Sequence, residues 1–175
     1  MATYVAFLRG VNLAGAKKIS MGELRSMAEG LGYEDVATYI NSGNLIVRTP
    51  KKPATVEREL SKAIAERFGH RVDVAVRSQA QLAALLAKNP YPEGNPSQVT
   101  VAFLVEPPGP QAKERVAAVA AEHESVTFAG KDVYVNYAKG LGQSKLAQRF
   151  SDIIGVSSTI RNVRTLAKII ELCEK

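Results

Sequence analysis

Three stretches of the chain combine glycine, amide or hydroxyl side chains with unbalanced positive charge. The first runs from Arg9 to Lys18 and holds Gly10, Asn12, Gly15 and Lys17 with no acid. The second is Gly140-x-Gly142-x-Ser144-Lys145, directly before a predicted helix; the third is Arg161-Asn162, before the last predicted helix. Main-chain N–H groups at a helix start, joined by a hydroxyl, an ammonium or a guanidinium fork, suit a phosphate or a carboxylate. Glycine also lets a guest approach the backbone closely, and strand-to-helix loops usually take only ~2–6 residues. Simpler duties compete with this reading. A solvated basic loop accounts for the first stretch equally well. Ser144 and Asn162 are natural helix caps, Arg161 can pair with a carbonyl, and Ser42-Gly43-Asn44 is first of all a hairpin turn. The glycine spacing before Lys145 is not that of a P-loop. The expectation is that Arg9, Gly10, Asn12, Lys17, Ser42, Asn44, Ser144, Lys145, Arg161 and Asn162 line one basic groove between two halves of the chain.

Other chemistries find little support. His70 and His123 stand alone, so no metal set or catalytic triad is assigned. Cys173 falls on an apolar helix face as an inert thiol, and Asp35, Asp132 and Asp152 lack partners for paired-carboxylate catalysis. No cofactor is assigned. The leading expectation is binding of a small phosphate- or carboxylate-bearing molecule or of a nucleic-acid backbone. An enzyme acting on a phosphorylated or carboxylated metabolite is the alternative, with Arg9, Lys145 and Arg161 stabilising a transferring anion. Sequence-specific nucleic-acid recognition is disfavoured: Tyr134 and Tyr137 point to opposite faces of their strand, which removes a stacking platform. A protein-interaction scaffold, using a helix-free sheet face, is the third reading.

The composition agrees. The 175 residues carry a formal net charge of +6, with 46% hydrophobic and 23% charged residues, as in an ordinary globular chain. Positive charge concentrates towards both ends, since Lys139, Lys145, Arg149, Arg161, Arg164 and Lys168 face only Asp152 between Val133 and Ile170. Such a balance favours anionic partners. No apolar run approaches the ~20 residues of a membrane span, no charged leader precedes an apolar core, and one cysteine excludes an internal disulfide. The cytoplasm is the expected location.

These residues must be positioned by regular elements. Apolar spacing predicts strands at Thr3–Leu8, Val36–Ile40 and Leu45–Val47, then a half-buried strand in which Val72, Val74 and Val76 alternate with Arg71, Asp73, Ala75 and Arg77. Helices start at the capping-box pair Ser20 and Glu23 and after Pro53. Ser78 and Gln81 open a further helix, with Leu82, Leu85 and Leu86 inward, before a Pro/Gly-rich connector from Pro90 to Pro96. The same order then returns, with strands at Val99–Val105, Val126–Phe128, Val133–Tyr137 and Ser158–Arg161. Helices are expected at Pro110 to Glu122, at Ser144–Ile154 and at the C-terminus, with Val163, Leu166, Ile169, Ile170 and Cys173 inward. Patterns match between the halves, about 90 residues apart, although individual residues do not. The reading is an α+β protein of two ferredoxin-like βαββαβ subdomains, mainly antiparallel sheets with helices on one face. Residues 1–77 form the first half, 78–98 a helix and connector, and 99–175 the second half with the C-terminal helix.

Four ordered blocks carry a family resemblance: Phe7-Leu8-Arg9-Gly10-Val11-Asn12, Thr38-Tyr39-Ile40-Asn41-Ser42-Gly43-Asn44, Gly140-Leu141-Gly142-Gln143-Ser144-Lys145-Leu146, and Thr159-Ile160-Arg161-Asn162. With these the chain resembles the bacterial family catalogued as domain of unknown function 1697 over nearly its whole length. The resemblance implies two ferredoxin-like subdomains and supplies no activity. The chain departs from the family pattern at Asn41, where glutamine is expected, and at Val163 and Arg164, where tryptophan and asparagine are expected.

Overall fold

A β-α-β-β-α-β order occurs twice in the computed structural model, which describes residues 1–13 and 15–175. Ala14, inside the first basic stretch, lies outside the described residues. The first set comprises β1 (Ala2–Leu8), α1 (Met21–Gly30), β2 (Glu34–Tyr39), β3 (Asn44–Thr49), α2 (Pro53–Phe68) and β4 (Val74–Ser78). α3 (Gln79–Ala87) follows. The second set comprises β5 (Val99–Leu104), α4 (Ala112–Val119), β6 (Glu124–Ala129), β7 (Asp132–Tyr137), α5 (Lys145–Gln148), α6 (Phe150–Ile154) and β8 (Ser158–Asn162), before α7 (Val163–Cys173). The chain divides into one unit of Met1–Ala84 with Ile169–Lys175 and another of Leu85–Lys168.

Each unit holds a four-stranded antiparallel sheet, in the orders β2-β3-β1-β4 and β6-β7-β5-β8. In the first, Tyr4, Ala6 and Leu8 of β1, Leu45 and Val47 of β3, and Val74 and Val76 of β4 share one face. Leu24, Met27 and Ala28 of α1 and Val56, Leu60 and Ile64 of α2 close over that face, so the helices cover one side. α2 begins with Pro53 in its first turn and ends on Gly69 at φ 70°, a left-handed cap that glycine adopts without strain. The second core is built alike from Ala102, Leu104, Val133 and Val135 under Ala112, Val116, Leu146, Phe150 and Ile154.

Strand register relates the two units residue by residue. Leu8 N–H donates to Gly43 O and Arg9 N–H to Asp73 O; Leu104 N–H donates to Lys131 O and Val105 N–H to Ser157 O. That correspondence lays Val5-Ala6-Phe7-Leu8 over Val101-Ala102-Phe103-Leu104, an identical tetrapeptide. Matching at residue level was therefore available, contrary to the pattern-only match read from sequence.

Several local expectations change. Arg77, expected on the exposed side of a half-buried strand, is only 3% exposed, and Ala75 is fully buried. The helix-free faces are buried as well, through Val5, Phe7, Ile46 and Ala75 in one sheet and Val99, Val101, Phe103 and Tyr134 in the other. The helix expected over Ser144–Ile154 is broken at Arg149, whose φ of −124° and ψ of 25° leave helical space. Leu146, Phe150 and Ile154 keep a spacing of four across the break, which is why periodicity could not reveal it. Asn44 opens β3 rather than closing the turn before it. Of the residues expected inward on α3 and α7, only Leu82, Leu166 and Ile169 are fully buried.

Candidate functional site

The Arg9–Lys18 loop is shaped by Asn12. Its backbone takes a positive φ of 57°, tolerable for asparagine. Its N–H donates to Lys17 O (3.1 Å), and its side-chain Oδ1 accepts from Ile19 N–H (2.9 Å). Nδ2 donates to Ile19 O (3.0 Å) and Asn41 O (2.7 Å). One side chain thus closes the loop and fastens it to the β2–β3 turn. In that turn Asn44, fully buried, donates through Nδ2 to Tyr39 O and Ser42 Oγ. Gly43 fits because it has no side chain: a Cβ there would lie 2.7 Å from Val11 Cγ2 and 2.8 Å from Leu8 Cβ. Asn12, Ser42 and Asn44 therefore hold the loop in place through their own hydrogen bonds.

A cleft of about 610 Å³ opens beside this loop, lined by Arg9, Gly10, Lys17, Gly69, His70, Arg71 and Asp73. Lys17, at φ 46°, donates from Nζ to Arg71 O at 3.0 Å, which draws the loop towards the segment after α2. Arg9 and Asp73 form an ion pair at 3.9 Å with both side chains more than two-fifths exposed, a contact worth little in water. Three cations face one carboxylate. α2 ends at the cleft through Gly69, so the negative end of its dipole opposes an anion and the side chains must supply the attraction. A Cβ on Gly10 would meet nothing within 4 Å, so the backbone is open there.

The glycine-rich stretch of the second unit lies in a separate setting, a cavity of about 390 Å³ lined by residues that include His123, Glu124, Lys139, Gly140, Ser144 and Lys145. Ser144 Oγ accepts from Ala147 N–H (3.1 Å) as the cap of α5 and donates to Glu124 Oε2 at 2.6 Å. Glu124 Oε1 accepts from Ala121 N–H, so this carboxylate ties a turn to the α5 cap. Its charge weakens the case for a phosphate beside Lys145.

Arg161 donates from Nη1 to Ile160 O at 3.0 Å, and burial lowers its pKa to about 10. Asn162 Oδ1 accepts from Thr165 N–H at 2.8 Å and caps α7. Arg77 repeats Arg161: it pairs with Val5 as Arg161 pairs with Val101, and its Nη1 donates to Val76 O at 3.0 Å. The sequence reading missed Arg77, although the common apolar-Arg pair on the last strand of each half was visible. Tyr134 is 3% exposed and donates to Leu85 O, so its ring offers no stacking surface.

Within single units, Arg9, Gly10 and Lys17 come together, as do Ser42 and Asn44 with the Asn12-anchored turn, and Ser144 with Lys145. His70 and Arg71, not singled out from sequence as ligands, join the first cleft. Among the described residues no three His, Cys, Asp or Glu side chains cluster to hold a metal, and no helix is long and apolar enough to cross a membrane.

Duplicated four-stranded antiparallel sheets, each covered on one face by helices, define an α+β protein of two similar subdomains. The chain belongs to the family described as protein of unknown function (DUF1697), whose model matches residues 1–134. Its fold is similar to that of a conserved bacterial protein, SP0830 from Streptococcus pneumoniae, with a TM-score of 0.74, 23% identity and coverage of 98% of both chains. No curated protein matches.

Proposed function

We propose that the chain binds a small phosphate-bearing anion in the basic cleft of its first unit. The observation that carries this reading is the convergence of Arg9, Lys17 and Arg71 on one open cleft, with Asp73 as the single acid in its lining. Asn12 fixes the loop before any guest arrives, which lowers the ordering cost of binding. The guanidiniums of Arg9 and Arg71 offer paired N–H donors to phosphate oxygens, and Lys17 adds a point charge. Side-chain cations at an exposed cleft act through screened electrostatics, so affinity falls as salt rises.

Calorimetric titration with inorganic pyrophosphate at low salt tests the reading. Arg9→Gln and Arg71→Gln are each expected to weaken binding about tenfold, the scale of one charge-assisted hydrogen bond. Lys145→Gln, in the other unit, is expected to leave it unchanged. Absence of binding by the unsubstituted chain, or an equal loss from Lys145→Gln, refutes the assignment.

A further inference from the structure

β2 and β6 occupy the same outer position in their sheets and treat it in opposite ways. Along β2 the register against β3 shifts between Glu34 and Ala37, and Asp35 sits at φ 48°. A bulge and two acids are the usual means of blocking strand addition. β6 has neither device: it pairs with β7 residue for residue from Glu124 to Ala129, with one acid and no proline or lysine. Its outer side has no strand partner among the described residues.

An apolar groove of about 540 Å³ runs beside this edge, between α4 and β6, with Val116, Ala120, Val126 and Phe128 in its lining. In the first unit Met27 and Tyr33 belong to the core, and Leu31 packs against it. One end of the open groove is positive, because Lys113 lies over the Phe128 ring with Nζ 5.7 Å from its centre. The other end is negative, with Glu122 and Glu124.

We propose that a second copy of this chain adds to this edge, β6 against β6, about a twofold axis normal to the sheet that passes midway between the two Val126 residues. Residues opposite one another in an antiparallel pair point to the same face. A twofold axis therefore sets residues an even number of positions apart against each other. Centring on Val126 puts Glu124 opposite Phe128 of the second copy, and Ser125 opposite its Thr127. The ammonium over each Phe128 then meets the acidic end of the other groove, and the contact is made twice. Centring on Thr127 instead would oppose Glu124 with Gly130 and His123 with Lys131, which forfeits the complementarity. Two six-residue edges make a small interface, so a micromolar rather than nanomolar dimer is expected.

Sedimentation equilibrium of the full chain at low salt, from about 1 to about 200 µM, tests this. The expected result is a reversible monomer–dimer equilibrium. Lys113→Glu and Glu122→Lys, both at exposed positions, should each weaken it about tenfold, and the double variant should recover most of the loss. A chain monomeric throughout that range overturns the proposal and leaves the groove to a small apolar ligand or a peptide. A dimer indifferent to both single substitutions, or a double variant weaker than either, overturns it too.

Discussion

Replacing Gly43 by alanine is expected to destabilise the chain by about 2–5 kcal/mol, because two separate penalties meet at one atom. The first is conformational. Gly43 sits at φ 88°, where an L-residue brings its Cβ against its own backbone at about 1–2 kcal/mol. The second is steric. The new Cβ would stand 2.7 Å from Val11 Cγ2 and 2.8 Å from Leu8 Cβ, on side chains that are 1% and 0% exposed and have nowhere to go. Overpacking of that kind adds about 1–3 kcal/mol. Gly10→Ala is the matched control: its φ of 68° carries the first penalty, but its Cβ meets nothing within 4 Å. Urea unfolding followed by far-UV dichroism reads both. With a slope near 1–3 kcal/mol per molar urea, the Gly43 variant should lose clearly more midpoint than the Gly10 variant, at unchanged slope. Equal midpoints for the two variants would refute the steric argument.

Ser144→Ala should lower stability by about 1–2 kcal/mol, since it removes the α5 cap and one donor to Glu124, and should leave pyrophosphate binding intact; loss of binding would transfer the site to the second unit. Burial, with a smaller contribution from the Glu174 charge, pushes the Cys173 thiol up to about 11 from its ordinary 9.0. The folded chain then holds this proton more tightly than the unfolded one, so stability falls as pH rises between those values. Cys173→Ala should lessen that decline, measured as urea midpoint against pH, and a decline unaltered by the substitution would contradict it. Iodoacetamide at pH 8.5 should alkylate Cys173 more slowly in the folded chain than in urea.

Most of the architecture was legible because alternation along Val72–Val76 and the fourfold spacing of Val56, Leu60 and Ile64 report on single elements. The features that escaped depend on partners remote in sequence. Arg77 reads as exposed while one face of its strand is assumed wet, and only the folded sheet shows both faces covered. Arg149 interrupts a helix whose apolar period runs on. The next helix ends where Arg115 donates to Ile153 O and Ile154 O, a closure supplied from 38 and 39 residues away. At the candidate cleft, loop length and charge identified Arg9, Gly10 and Lys17. His70 reads as an isolated histidine and Arg71 as part of the next strand, and they joined the loop residues only when β4 returned beside β1. Asn12 and Ser144 carried the right chemical groups, but each directs them at its own chain.

The tetrapeptide shared by β1 and β5 has a consequence during synthesis. Both are the inner strands of their sheets, and Val-Ala-Phe-Leu presents the same side chains in either place. Those four residues cannot tell a nascent β3 from a nascent β7, so exchange of one central strand for the other is the misassembly this repeated architecture invites. Translation order supplies the safeguard. β1, β3 and β4 all precede β5 along the chain, so they leave the ribosome before it does and the first sheet can close before its competitor emerges.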